Sequence, residues 1–216
     1  MNYLSHLLLA GGSEDALLGS LLGDFVKGST GGRFNAAISE AILLHRKIDS
    51  FSDTHVITSR SRDRISPPRR RFAGIIIDVG YDHFLSRHWC RFSMVDLESF
   101  AERVYAVLRK NRDLLPERLS RILPRMIAEN WLGGYMHLER VGDALDRIAG
   151  RLTRGARFMR AVNEIEDNYK ALERDFLAFF PDLVAFCADW KRRVENTVGR
   201  SAGFLAEGTS EGSKGR

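Results

Sequence analysis

The stretch FAGIIIDVGYDHFLSRHW, residues 72–89, decides the fold class. Ile75, Ile76 and Ile77 alone suit a buried strand as well as a helix. The segment is long for a strand, however. Ile77, Tyr81, Phe84, Leu85 and His88 also continue at three-and-four spacing, which predicts one buried helix.

The segments on either side repeat the pattern. Tyr3, Leu4, Leu7 and Leu8 predict a short helix over 3–10. GGSED (11–15) supplies a loop and a helix start with Ser13 as N-cap, and Leu17, Leu18, Leu21, Leu22 and Phe25 follow at helical spacing. GSTGG (28–32) closes that helix, and another runs from about Ala36 to Ser50. SFSDTH (50–55) reads as a turn or helix start. Pro67 and Pro68 break any helix in the basic stretch 56–71. Beyond it, VDLESFAERVYAVLRKN (95–111) is strongly amphipathic, and helices are predicted near 117–134, 138–150, 155–180 and 182–196. The expectation is an all-α, single-domain helical bundle over residues 1–197. A Gly- and Ser-rich tail, 198–216, has little to bury and is expected to be disordered.

Composition fits a soluble domain. Apolar residues make up 44%, enough for a sizeable core, and charged residues 28%. No stretch approaches the roughly 20 apolar residues that span a bilayer. MNYLSHLLLAGG (1–12) lacks a basic start and carries His6 in its apolar run, which argues against a signal peptide. Cys90 and Cys187 sit in no CxxC pair, so neither a disulfide framework nor a thiolate zinc site is expected, and a cytoplasmic setting fits. Lys and Arg exceed Asp and Glu by 33 to 28, an excess that favours an acidic partner without identifying one.

The chemistry is concentrated in the first 90 residues. Five of the six histidines lie there, namely His6, His45, His55, His83 and His88, among Asp24, Asp49, Asp53, Asp78 and Asp82. Asp78 and Asp82 are four apart and share a helix face, as do His45 and Asp49, while His83 lies about 100° further round. Asp24 is set in LLGDF and Asp78 follows three isoleucines. Carboxylates embedded in apolar sequence are costly unless paired or metal-bound, and a shared cation is the economical solution. Oxygen and imidazole donors without thiolate suit manganese, iron, magnesium or zinc. Plainer readings exist for single residues. Asp24 could pair with Arg46, His6 and His88 could be ordinary buried histidines, and the arginines of 60–71 could be a solvated loop. There is no GxxxxGK[ST] loop, no GxGxxG after a strand and no HExxH.

Four segments carry a resemblance: NYLSHLLLA (2–10), GSLLGDFVKG (19–28), LHRKIDSFSD (44–53) and IDVGYDHFLSRHW (77–89). With their spacing, they resemble the bacterial acyl carrier protein phosphodiesterase family over roughly residues 1–195. The resemblance implies an all-helical protein distantly akin to the HD-type metal phosphohydrolases. It implies hydrolysis of the phosphodiester that joins 4′-phosphopantetheine to a serine of holo acyl carrier protein. It further implies a requirement for a divalent metal, manganese in particular. The expected partner is that small, strongly acidic carrier protein, with no nucleic acid and no membrane span. Asp24, His45, Asp78, Asp82 and His83 match family motif positions, as do His6, Asp49, Asp53, His88 and Trp89. Ser20 stands where many relatives have Asn.

The resulting expectation is a metal-activated water attacking phosphorus. Asp24, His45, Asp78 and either Asp82 or His83 hold the metal, while the other of that pair, or His6, moves the proton. Arg46 steadies the phosphate oxygens, and Asp49, Asp53 and His88 support the site. Arg60, Arg62, Arg64, Arg69, Arg70 and Arg71 dock the acidic carrier protein. The alternatives are a metal phosphohydrolase acting on nucleotides or another small phosphodiester, and a non-catalytic module binding carrier protein or nucleic acid.

Overall fold

The computed structural model describes residues 1–152, 156 and 158–207, with 197–207 as backbone alone. Every regular element among them is helical, so the all-α reading holds. The order is α1 (Tyr3–Ala10), α2 (Glu14–Leu22), α3 (Ala36–Thr54), α4 (Val56–Asp63), α5 (Ala73–Arg87) and α6 (Leu97–Lys110). There follow α7 (Glu117–Ala128), α8 (Trp131–Gly134), α9 (Leu138–Ala149), α10 (Val162–Asp167) and α11 (Tyr169–Glu207). No helix among the described residues is long and apolar enough to cross a membrane.

The stretch 72–89 is the axis of the molecule. Ile76, Ile77, Val79, Tyr81, Phe84 and Leu85 of α5 are each at most 3% exposed. A helix that is apolar nearly all round belongs inside a protein. Accordingly α1, α4, α9, α10 and α11 pack around α5. The closest helix pair is α2 on α3, capped by Ser13, which accepts from the Ala16 N–H, and by Asn35, which accepts from Ile38. Gly19 and Gly23 permit this approach. A Cβ at Gly19 would strike the Ile38 carbonyl and Ala41, and one at Gly23 would strike the His45 ring.

Four expected boundaries move. Helix α2 stops at Leu22, so Asp24 lies in the turn beyond it rather than in its third turn. The helix expected over 117–134 breaks at Asn130, whose φ of 43° is left-handed; its side chain accepts from Gly133 N and starts α8. Conversely, α11 runs straight through Pro181. A helix-interior proline costs about 3 kcal/mol. Phe176, Phe179, Phe180 and Leu183 surround it with no exposed surface, and each such burial is worth roughly 1.5–3 kcal/mol, so packing wins. The α11 backbone also continues past Val198 to Glu207, where a disordered tail was expected; residues 208–216 lie outside those described.

Five of the six arginines of 60–71 form ion pairs within the molecule. Arg60 and Arg64 reach the buried Asp175 of α11 at 2.5 and 3.0 Å, and Ser61 Oγ donates to it at 3.0 Å. Arg69 reaches Glu164 of α10 at 3.0 Å, Arg62 reaches Asp53 at 3.4 Å and Arg70 reaches Asp63 at 3.3 Å. Arg71 lies over the Phe72 ring, 4.6 Å from its centroid. Burial pushes the Asp175 carboxyl up, but Arg64, Arg60 and Ser61 prevail and hold it below the usual value. Half of the expected docking surface, Arg60, Arg64 and Arg69, is thus a clamp onto carboxylates that α10 and α11 bring from some 100 residues away.

Candidate metal centre

Three elements converge beside α5, which is itself the fourth contributor. Helix α1 supplies His6, α3 supplies His45 and Asp49 one turn apart, the turn after α2 supplies Asp24, and α5 supplies Asp78. The His6 and His45 rings stack with centroids 3.7 Å apart and planes 10° from parallel. His45 Nδ1 donates to the Ser20 carbonyl at 2.7 Å. That bond fixes the tautomer and turns His45 Nε2 toward Asp49 Oδ2 at 3.3 Å and Asp24 Oδ1 at 3.6 Å. His6 Nε2 comes within 3.0 Å of Asp49 Oδ1 without the alignment of a hydrogen bond, so both buried ring nitrogens of His6 lack a hydrogen-bond partner. The Met1 ammonium lies 3.1 Å from Asp78 Oδ1 and 3.4 Å from Asp49 Oδ1.

The electrostatics divide the two histidines. Burial lowers His6 to a pKa of about 4, although Asp49 pulls the other way, so it is neutral at pH 7 with a lone pair available. Burial also opposes charge on His45, but Asp24 and Asp49 overcome it and raise the pKa to about 9. The Asp49 carboxyl is resisted by burial yet held well below the usual range by His45 and His6. Asp78 is pushed up by burial against the pull of the Met1 ammonium. One ligand atom from each of His6, His45 and Asp49 lies within 4.8 Å of the others, close enough to converge on one ion.

Asp82 and His83 are not brought into this group. Asp82 is fully buried one turn beyond Asp78, facing the start of α1. There it accepts from Leu4 N at 2.7 Å and Ser5 N at 3.0 Å, and from Ser5 Oγ. Asn2, the N-cap of α1, makes no side-chain cap, so Asp82 supplies that cap from another helix. His83 turns to the opposite flank of α5. Its Nδ1 donates to the Tyr135 carbonyl at 2.7 Å, and its Nε2 lies 3.0 Å from the Tyr169 hydroxyl.

The remaining candidates have other partners. Arg46 donates to the Val26 carbonyl at 2.7 Å and ties down the turn that carries Asp24. Asp53 pairs with Arg62, His88 contacts Glu173 at 2.8 Å, and Trp89 donates to the Val95 carbonyl at 2.7 Å. Ser20 acts on His45 through its backbone carbonyl, and its hydroxyl is buried without a partner.

The chain matches acyl carrier protein phosphodiesterase sequences over residues 1–183. It belongs to the acyl carrier protein phosphodiesterase family. Among named relatives, the acyl carrier protein phosphodiesterase of Serratia proteamaculans is 35% identical over 190 residues, covering 88% of this chain and 98% of that protein. Those of Yersinia enterocolitica and Yersinia pestis are 35% and 33% identical, covering 98% and 96% of the relatives and 88% and 85% of this chain. No solved structure matches the chain.

The sequence marks His6 as a candidate to move the proton and Asp49 as a supporting residue, and the structure sets both among the donors that converge with His45. The i, i+4 spacing of His45 and Asp49 was the signal for Asp49. Nothing local distinguishes His6 from an ordinary buried histidine. Gly23 also went unmarked, although its missing Cβ makes room for the His45 ring.

Proposed function

We propose that this chain hydrolyses the phosphodiester linking 4′-phosphopantetheine to a serine of holo acyl carrier protein, giving apo carrier protein and 4′-phosphopantetheine. The reaction takes place at His6, His45 and Asp49 with a divalent cation, manganese foremost, and the protein acts in the cytoplasm. The observation that carries the site is the convergence of two imidazoles and a carboxylate within 4.8 Å, one imidazole having no hydrogen-bond partner. A buried ring with both nitrogens unsatisfied is costly unless something else engages it. Nitrogen and oxygen donors in that ratio suit manganese, iron or zinc.

A divalent ion there supplies an acidified water and polarises a phosphoryl oxygen. The protein's own groups perform the rest. The Ser20 carbonyl fixes the His45 ring so that Nε2 faces the centre. Asp49 lies within 3.0 Å of His6 Nε2 and 3.3 Å of His45 Nε2, one with each oxygen. Asp24 and Asp78 flank the centre with carboxylates about 40% exposed, which suits contact with both the ion and an arriving substrate. Asp78 borders the centre with Oδ1 paired to the Met1 ammonium at 3.1 Å, and would be the carboxylate nearest an ion held there from the α5 side. Arg46 acts by holding the Asp24 turn through the Val26 carbonyl, in place of the phosphate contact expected of it.

The test is incubation of the purified protein with holo carrier protein and Mn2+, followed by intact-mass spectrometry. Loss of the phosphopantetheine mass is expected, and its removal by EDTA. An unchanged carrier protein, beside a relative that cleaves it under the same conditions, refutes the reading.

A further inference from the structure

Five of the six arginines of 60–71 are held in ion pairs, and exposed positive charge also stands outside that run. Two exposed arginines stand out beside the cluster: Arg118 on α7, and Arg151 in the turn after α9. Neither has an ion-pair partner among the described residues. Arg118 lies 5.9 Å from the centroid of Phe25, the residue next to Asp24. Arg151 shares the wall of a narrow pocket of about 60 Å³ with Tyr3 and Asn2, at the head of the helix that carries His6. Tyr3 joins the two. Its phenol, pushed up to about 12 chiefly by burial, feels the negative charge of Asp24 and the positive charges of Arg151 and Arg118. Lys27, exposed in the turn that carries Asp24, extends the same rim.

We propose that Arg118 and Arg151 form the docking surface for an acidic protein partner, the carrier-protein substrate, at the edge of the His6–His45–Asp49 cluster. The partner's identity rests on the reading of function given above. The physical reason is placement. A macromolecule whose phosphodiester enters the cluster must lay its surface on the surrounding rim. Exposed guanidinium groups there steer an acidic face into register without any internal pair being broken. Arg60 and Arg64 share Asp175 and Arg69 faces Glu164, so these arginines are held against α10 and α11 and offer a weaker field.

The experiment titrates fluorescein-labelled apo carrier protein with the wild type, R118E, R151E, the double variant and R174E, reading anisotropy at about 50 and 300 mM NaCl. Arg174 is an exposed α11 arginine outside the rim and controls for net charge. Thermal midpoints confirm that every variant is folded, and the neutral R118Q/R151Q pair guards against a folding artefact of charge reversal. The double reversal is expected to weaken binding at low salt by about tenfold or more and to remove most of the salt dependence, with R118Q/R151Q intermediate and R174E near wild type. Unchanged affinity in the double variant, or an equal loss in R174E, overturns the surface. A wild type that binds through these arginines yet releases no phosphopantetheine supports the surface and refutes the activity. A wild type that cleaves the carrier while the double variant binds as tightly does the reverse.

Discussion

Replacing Asp82 with Asn separates an anchor from a metal ligand. In the structure both Asp82 oxygens are engaged by the head of α1, through Leu4 N at 2.7 Å, Ser5 N at 3.0 Å and Ser5 Oγ. Asparagine keeps the shape and one acceptor. Its amide nitrogen then faces donors, and the rotating Ser5 hydroxyl can turn to accept, which leaves Ser5 N–H unsatisfied. Burial pushes the Asp82 carboxyl up to about 7 against the pull of these donors, so near pH 7 only part of the population is charged and the lost charge counts for little. Leaving the buried Ser5 N–H unsatisfied costs about 1–3 kcal/mol. That is a sizeable part of a typical domain's stability and corresponds to a thermal midpoint lower by roughly 2–10 °C. Urea unfolding and thermal denaturation followed by circular dichroism measure this. Mn2+ affinity of the folded variant, from titration calorimetry, should stay within about threefold of wild type, because no ligand has been removed. An unchanged midpoint together with a hundredfold loss of Mn2+ affinity would refute the reasoning and return Asp82 to the metal.

Three further outcomes follow from the same geometry. His6→Ala and Asp49→Ala should each abolish carrier-protein cleavage and strip bound Mn2+ while leaving the helical spectrum intact; full metal content with normal turnover in either removes that residue from the centre. Gly23→Ala places a methyl where the His45 ring stands, so turnover should fall by about a hundredfold as the ring swings off Asp24 and Asp49, and wild-type activity would show that α2 yields instead. Asp175→Asn should cost about 2 kcal/mol at pH 7, a modest figure because Arg60 and Arg64 are 54% and 31% exposed. The Asp175 pKa is lowered on folding, so its contribution is present above about pH 4 and disappears as pH falls through the lower folded value. Urea midpoints of the two proteins should therefore converge near pH 3, and a gap that persists there contradicts the assignment.

The sequence by itself determined the fold class and the neighbourhood of the site. Helical spacing is local, and α5, α6 and the Ser13 and Asn35 caps follow from residues within a turn or two of each other. Asp and His embedded in apolar sequence carry an energetic demand that needs no coordinates to recognise. Which of them meet was decided by tertiary structure, because a pattern along one helix gives a face and not the facing partner. Asp78 and Asp82 share a face of α5, yet one borders the cluster and the other caps α1, because the start of α1 lies one turn further along. His83, about 100° round, meets Tyr135 and Tyr169 instead. The arginine run looked free because its carboxylates, Asp175 and Glu164, lie some 100 residues downstream. Pro181 looked like a helix break because its local cost is legible and the packing around it is not.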